Sequence, residues 1–582
     1  MSKLLVLDEP ISEETKRQFP EIHPVLLQLL WNRGVRTQGQ KDVYLSPDWS
    51  RDTFASSLFL NMVQAVARVF AALEVGETIT VHGDYDADGV CGSAVLMATL
   101  RDISAALGFD FAKVTSYIPH REMEGYGMSM ETVEHLHAHE GSRLIITVDC
   151  GISDKPAIDR GRELGIDTIV CDHHAMPADL PAHAILIHPL VPGETYPNKS
   201  LCGTGVAFKL ASALIEEARH RGASLPEGHE KWLLDLVAIA TVTDVMPLLG
   251  ENRVLERFGL LVLNKTRRKG IQQLLDVAGS KIGELDTVSI GFQIGPRLNA
   301  AGRMTHASEA LELLLEEDDL RAKELAIRLH EINVQRQKAS QAMYVAARLQ
   351  VVRNLDEKLL VAVEDGWSSG LVGLVAGKLQ NEFHKPVLVV GKDGDHYVGS
   401  GRSIEGFDIT QALHVAAGFL DKFGGHPQAC GFSTTGEERF AQAIKTMRAF
   451  AAQFLTDDML ASSIKVDAPL ALETIDWVLY DSLVQMRPFG TGNPEPVFVS
   501  REVRVVAMST VGNDGKHLRL RVQSPGGRMM QAIGFGLGNH AAGLRLGGSV
   551  DILYTIDVNE WNGNRELQLR VMDIVSNEKI CA

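Results

Sequence analysis

Short apolar runs rich in Val, Ile and Thr recur along the first half of the chain, at 78–82, 114–118, 144–149, 168–172 and 184–187. Between them, segments 90–100, 129–139 and 155–164 carry apolar residues at helical spacing. Strand-type runs alternating with helices predict a parallel, doubly wound α/β sheet. Two further helices are predicted at 205–219 and 232–242. Residues 308–355 then hold a helical period with many charges and neither Pro nor Gly. A helix of about thirty-five residues extends roughly 50 Å, a length suited to a connector between domains.

Beyond it, strands are predicted at 359–364, 386–390 and 397–402, with helices at 370–382 and 409–419, as in a second and smaller α/β domain. From about residue 464 the texture turns to β-type runs at 497–511, 517–522, 530–535, 550–559 and 566–575. Asn562-Gly563 between the last two is a hairpin signal. Five strands over that stretch suit a C-terminal β-barrel of the OB type. The expected division is an N-terminal helical extension over 1–65, the doubly wound domain over 66–305, the connecting helix over 306–355, the smaller domain over 356–456 and the barrel over 457–582.

Composition narrows this picture a little. A chain of 582 residues exceeds what one core supports. Its 45% hydrophobic and 23% charged residues are ordinary for a globular protein. No uninterrupted apolar stretch reaches spanning length, and Asp8-Glu9 interrupts the N-terminus too early for a secretory signal. Six scattered cysteines without Cys-x-x-Cys spacing speak against a zinc knuckle or a disulfide framework, and for a reduced cytosol. A net charge of −17 opposes a passive DNA-coating role. It leaves room for an enzyme whose carboxylates hold cations and whose basic groups are confined to a groove.

The candidate chemistry sits at strand ends. His82-Gly83-Asp84-Tyr85-Asp86-Ala87-Asp88-Gly89 joins a predicted strand to a predicted helix, at the edge where open α/β sheets bind ligands. Three Asp at alternate positions repel one another, and a bound cation relieves them. Two more strands end in Asp149-Cys150-Gly151 and Asp172-His173-His174, and Asp244 ends a further apolar segment. One Asp at a strand end is usually a cap or turn residue. Four such features together point to a metal site. Oxygen donors with some imidazole and no thiolate favour Mn2+ or Mg2+. Eight positions exceed the needs of one ion, and a two-ion site is the usual arrangement for displacement at phosphorus.

The blocks His-Gly-Asp-Tyr-Asp-Ala-Asp-Gly, Val-Asp-Cys-Gly, Asp-His-His and Thr-Asp-Val resemble the four motifs of the DHH phosphoesterase superfamily. Arg121 with Gly125-Tyr126-Gly127, the run 295–303, the run 399–403 and Gly424-Gly425-His426 resemble its branch of single-strand-specific 5′→3′ DNA exonucleases. That resemblance covers the chain from about residue 22 onward. It implies His82, Asp86 and Asp149 around one divalent cation, and Asp88, Asp149, His173 and Asp244 around a second, with Asp149 bridging. It implies His174 at the scissile phosphate, and Asp84 and Asp172 orienting ligands. Arg121, Arg297, Asn299, Arg303, Ser400, Arg402, Gly424, Gly425 and His426 are implied to meet the DNA. Arg297 and Arg303 also have a plain reading as interdomain ion pairs, and the barrel aromatics Phe489, Phe498, Phe535, Tyr554 and Trp561 as core. In one respect the chain departs from the family: Trp367-Ser368-Ser369-Gly370 stands where Trp-His-x-Gly is usual.

The implied function is two-metal hydrolysis of single-stranded DNA to 5′-mononucleotides in repair and recombination, by a cytoplasmic monomer. Implied partners are single-stranded DNA, a single-strand-binding protein and a helicase, with no membrane. A DHH-type oligoribonuclease or cyclic-dinucleotide phosphodiesterase is the alternative enzyme, and a non-catalytic replication scaffold the alternative without chemistry.

Overall fold

The computed structural model describes residues 4–561 and 563–575. Contacts divide the chain into two compact units. One runs from Thr53 to Leu460; the other joins the residues up to Asp52 with those from Ala461 onward.

The first unit opens with α1 (Met62–Val75) and a five-stranded parallel sheet: β1 (Thr78–Gly83), β2 (Val114–Tyr117), β3 (Ser142–Val148), β4 (Asp167–Cys171) and β5 (Ile185–Ile187). The strand order is β2-β1-β3-β4-β5, parallel throughout. All five runs expected as strands are strands, and the central ones are buried on both faces, hence their unbroken apolar character. Helix α2 (Ala87–Leu107) follows β1 and is buried over most of its length. By length and composition it would cross a membrane, yet 72% of its most apolar window is buried inside the fold. Gly92 lets it lie against the sheet: a Cβ there would stand 2.5 Å from Val148. Helices α3 (Gly203–His220) and α4 (Leu234–Thr243) pack beside α2, and α5 (Gly295–Met304) precedes the connector.

The long connector is α6 (Asp319–Val352), about 51 Å at 1.5 Å per residue. The single helix expected from residue 308 is in fact two, because Ser308–Leu315 ends at Glu316 and α6 restarts with Asp318 as its cap, accepting from the Arg321 N–H. Charged residues without Pro or Gly hid that break. Beyond α6 come β6 (Leu360–Asp365), α7 (Ser369–Phe383), β7 (Val387–Asp393), β8 (His396–Arg402), β9 (Lys422–His426) and β10 (Ala429–Thr435). They form a mixed sheet in the order β9-β10-β8-β7-β6.

In the second unit, β11 (Phe498–Val511), β12 (His517–Gln523), β13 (Met529–Gly534), β14 (Ser549–Trp561) and β15 (Asn564–Val575) close into a barrel, because β14 pairs with both β15 and β11. Asn562 of the expected hairpin, and the side chain of Trp561, lie outside the described residues. Phe498 and Tyr554 are core, Phe489 is half-buried, and Phe535 is exposed. The N-terminal segment, expected as a helical extension, starts instead with strand Leu4–Leu7, which pairs with Ser463–Val466. Helix Pro24–Asn32 then buries Leu26, Leu29 and Leu30 in the barrel's core beside Val505, Leu518 and Tyr554. A buried Arg33–Asp467 ion pair at 3.0 Å adds to this contact.

Candidate metal centre

At the C-terminal edge of the parallel sheet, β1, β3 and β4 each have a polar group at or beside the strand end. His82, next to last in β1, is fully buried, its Nε2 without a hydrogen-bond partner among the described residues. Asp84 follows in the turn and is buried with Oδ1 likewise unpartnered. Asp86 caps α2 by accepting from the N–H groups of Asp88 and Gly89, which is why the helix starts there. Asp88, in the first turn, is buried and accepts from the N–H groups of Gly203 and Thr204 at 2.7 Å each, at the start of α3. Asp149, directly after β3, has a left-handed conformation, φ 62°, and Val245 beside Asp244 has φ 58°. Such strain concentrates at functional sites.

Donor atoms gather in three overlapping groups, each within 4.8 Å: Asp84, Asp86 and Asp149; Asp88, His173 and Asp244; Asp149, His173 and His174. His173 Nε2 stands 3.1 Å from Asp149 Oδ1 and 3.5 Å from Asp244 Oδ2. Those three atoms, with His82 Nε2 and Asp84 Oδ1, are buried yet make no hydrogen bond among the described residues. Orphaned oxygens and imidazole nitrogens facing one another are the donor set of hard divalent cations. The six expected ligands lie at this edge, but His82 is outside the three groups and Asp84, expected only to orient, is inside one. Asp172 Oδ1 accepts from the His173 and His174 N–H groups and faces His174 Nδ1 at 2.9 Å, while Oδ2 accepts from the Ile152 N–H.

Electrostatics agree. Burial first, then the neighbouring carboxylates, pushes Asp84, Asp86 and Asp149 upward and Asp244 to about 9. Burial alone would lift Asp172 too, but the His174 hydrogen bond and charge hold it below the usual carboxylate range. His174 is the reciprocal case: burial lowers it, and Asp172 more than restores it, so it titrates above its ordinary value. Burial takes His82 down to about 4 and keeps it neutral.

One residue of a quoted segment had no site role in the sequence reading. Tyr126 donates from its hydroxyl to the Asp149 carbonyl at 2.8 Å and lies 3.0 Å from His174 Nδ1. Its signal was the Gly125-Tyr126-Gly127 segment, whose glycines both adopt positive φ and turn the loop over the site.

Three family models match the chain: the DHH family N-terminal domain over residues 78–241, the DHHA1 domain over 356–453, and the RecJ OB domain over 466–573. The single-stranded-DNA-specific exonuclease RecJ of Escherichia coli is 33% identical, covering 97% of each chain. The chain belongs to the RecJ family. RecJ of Bacillus subtilis is also 33% identical, covering 98% of this chain and 71% of that protein. The crystal structure of RecJ with Mn2+ from Thermus thermophilus covers 99% of this chain and 80% of its own, with a TM-score of 0.83 and 29% identity.

The segments that mark the RecJ branch are distributed unequally around the centre. His426 brings its ring to within 6.5 Å of the His174 ring, nearly parallel. Gly425, at φ 142°, lets β9 pass close to β10, where a Cβ would meet the Ala429 carbonyl at 2.3 Å; Gly424 faces open space. Arg303 donates to the Gly370 carbonyl, Arg402 donates to Ser400 Oγ, and Arg121 lies over the Tyr85 ring. Burial, then repulsion from Arg121, lowers Arg303 to about 10. Two other residues expected to meet the DNA have partners within the protein. Asn299 accepts from the Ala87 N–H and fixes the first turn of α2, and Arg297 points at His330 of α6 and the Gln293 carbonyl. Among the described residues, neither Arg297 nor Arg303 has a carboxylate partner, so the ion-pair reading of both falls away. Ser368 caps α7 through the Gly370 N–H, and its hydroxyl and that of Ser369 reach Glu122.

Proposed function

We propose that the chain is a metal-dependent exonuclease that hydrolyses single-stranded DNA from its 5′ end and releases 5′-mononucleotides. The cluster of buried, unpartnered carboxylate and imidazole atoms at the sheet edge carries this reading, with RecJ membership supplying the substrate class. The catalytic work is assigned to residues 66–305, the grip on the 5′ end to 356–456 and holding of the strand to the barrel.

Asp149 would be shared, with Asp84, Asp86 and His82 holding one divalent cation and Asp88, His173 and Asp244 a second. Mn2+ or Mg2+ held there would supply a lowered water pKa and neutralise charge at phosphorus. Asp172 aims His174 and favours its protonated form, in which the ring stabilises charge on the phosphate and gives a proton to the leaving oxygen. Arg121, Arg303 and Arg402, with Ser400, take the 5′-terminal phosphate, since a planar guanidinium pairs with two phosphate oxygens at once. His426 adds a donor from the second sheet. The protein works in the cytoplasm as a monomer, in repair and recombination, beside a single-strand-binding protein and a helicase.

A long 5′-labelled single strand, a duplex and the dinucleotide pApA, each incubated with Mn2+ and with EDTA, test this. Expected is labelled mononucleotide from the single strand alone, abolished by EDTA. Cleavage that survives EDTA, or a strong preference for pApA, overturns it. Asp149→Ala should remove turnover and leave DNA binding measurable.

A further inference from the structure

A cleft of about 670 Å³ opens between α6 and α7, with Arg402 at one end. Its lining includes Arg336, Ser340 and Gln341 from α6, and Lys378 from α7, and among the described residues holds no carboxylate. Three cations without a counter-charge are conspicuous in a protein of net charge −17.

Two of its polar atoms are unsatisfied among the described residues. A helical serine commonly bonds the carbonyl one turn back, yet the Ser340 hydroxyl, on a residue only 3% exposed, has no partner. Arg336 spends one guanidinium nitrogen on Asn333, while its buried Nε has no partner. Lys378 has a long contact, 3.5 Å, to Gln341 and lies 5.6 Å from the centroid of the Tyr344 ring, with no carboxylate partner among the described residues. Buried donors without acceptors are costly, and both belong to residues that line the cleft. Passage from the Ser400–Arg402 pair is kept by Gly373, where a Cβ would stand 3.1 Å from Ser400 Oγ and 3.2 Å from Arg402 Nη2. Arg336 also adds to the repulsion felt by Arg303, after burial and Arg121.

We propose that the cleft between α6 and α7 is a second anion site, taking a phosphate group that lies beyond the 5′-terminal phosphate held at Ser400 and Arg402. This rests on the reading of Ser400 and Arg402 given above. The ligand chemistry is a pyrophosphate unit: its first phosphate reaches Arg402 and its second reaches Arg336, Ser340 and Lys378. Such a unit comes either from a 5′-polyphosphorylated strand or from free pyrophosphate.

The test begins with full-length protein in EDTA, titrated calorimetrically with inorganic pyrophosphate and, as control, with orthophosphate. Arg336→Gln should weaken pyrophosphate about tenfold, the loss of one charge-assisted contact, and leave orthophosphate unchanged. Lys378→Gln, at an exposed position that does not endanger folding, should weaken it by a smaller factor. Both variants should cleave a 5′-monophosphorylated strand as the parent does. If a 5′-triphosphorylated strand loses kcat/KM in Arg336→Gln, the strand's own end is the source; if only free pyrophosphate responds, the source is the free anion. No pyrophosphate binding by the parent, or binding indifferent to both variants, overturns the proposal. So does an equal loss for orthophosphate, or for the monophosphorylated strand, which would place Arg336 in the terminal grip. Failure of the parent to cleave the monophosphorylated strand would instead count against the exonuclease reading, with the titration still deciding the cleft.

Discussion

At the level of single residues, the site is governed by where protons sit when carboxylates are crowded. Asp244 titrates near 9, and Asp84, Asp86 and Asp149 are raised by burial and by one another. A cation has to displace those protons. Mn2+ affinity should therefore climb as pH rises toward 9, with proton release visible by calorimetry in buffers of different ionisation enthalpy. An affinity flat between about pH 6 and 8.5 would contradict this linkage. The sign for stability is opposite. Acids whose folded pKa is raised stabilise the fold at low pH and lose that contribution as pH rises, so the cation-free protein should melt lower at pH 9 than at pH 6. Tyr126→Phe removes one neutral hydrogen bond from the Asp149 carbonyl. About 1 kcal/mol, or roughly fivefold in kcat, is expected, with KM little changed. An unaltered kcat would mean that the hydroxyl does not position the site. These ligand types were legible in the sequence because Asp and His at strand ends converge by topology alone. The aims of Tyr126, Asn299 and Arg297 were not, since each depends on a partner distant in the chain, such as Ala87 or His330.

Among the elements, the start of α3 does more than begin a helix. Its first two N–H groups hold Asp88 from 115 and 116 residues away along the chain, and Gly203 sits where a Cβ would come within 2.6 Å of Asp149. Gly203→Ala should thus displace both carboxylates and weaken Mn2+ binding by roughly 10–100-fold, the usual size of such supporting effects. Near-parental affinity in a calorimetric titration would show that α3 does not set the ligands. Sequence periodicity found the strands and most helices because one face of each is apolar. It misplaced the start of α6, where Glu316 to Asp318 break the helix through an Asp cap that looks like any other charged position. It also treated the N-terminus as a separate extension, because nothing in residues 24–32 says which core their leucines will fill. Ser368 is the useful local exception. Whatever the family's histidine does there, this chain uses the position to cap α7 and to touch Glu122.

For the whole molecule, the two ends of the chain share one core. Deleting residues 461–582 alone should expose Leu26, Leu29 and Leu30, which pack in the barrel, and give an aggregating product. Deleting residues 1–52 as well should give a soluble 53–460 fragment with a cooperative melting transition. If the single deletion behaves as well as the double one, the shared core contributes little. The same arrangement bears on how the protein is made. Helix Pro24–Asn32 leaves the ribosome ahead of the barrel that covers its leucines, which begins at Phe498, roughly 470 residues later, a wait of some 25–95 s at ordinary elongation rates. Throughout that interval an apolar helix stands without its partner. Newly made chains should therefore depend on chaperones in proportion to the length of that wait, and slow codons in the middle of the gene would carry a cost in yield that the finished fold does not reveal.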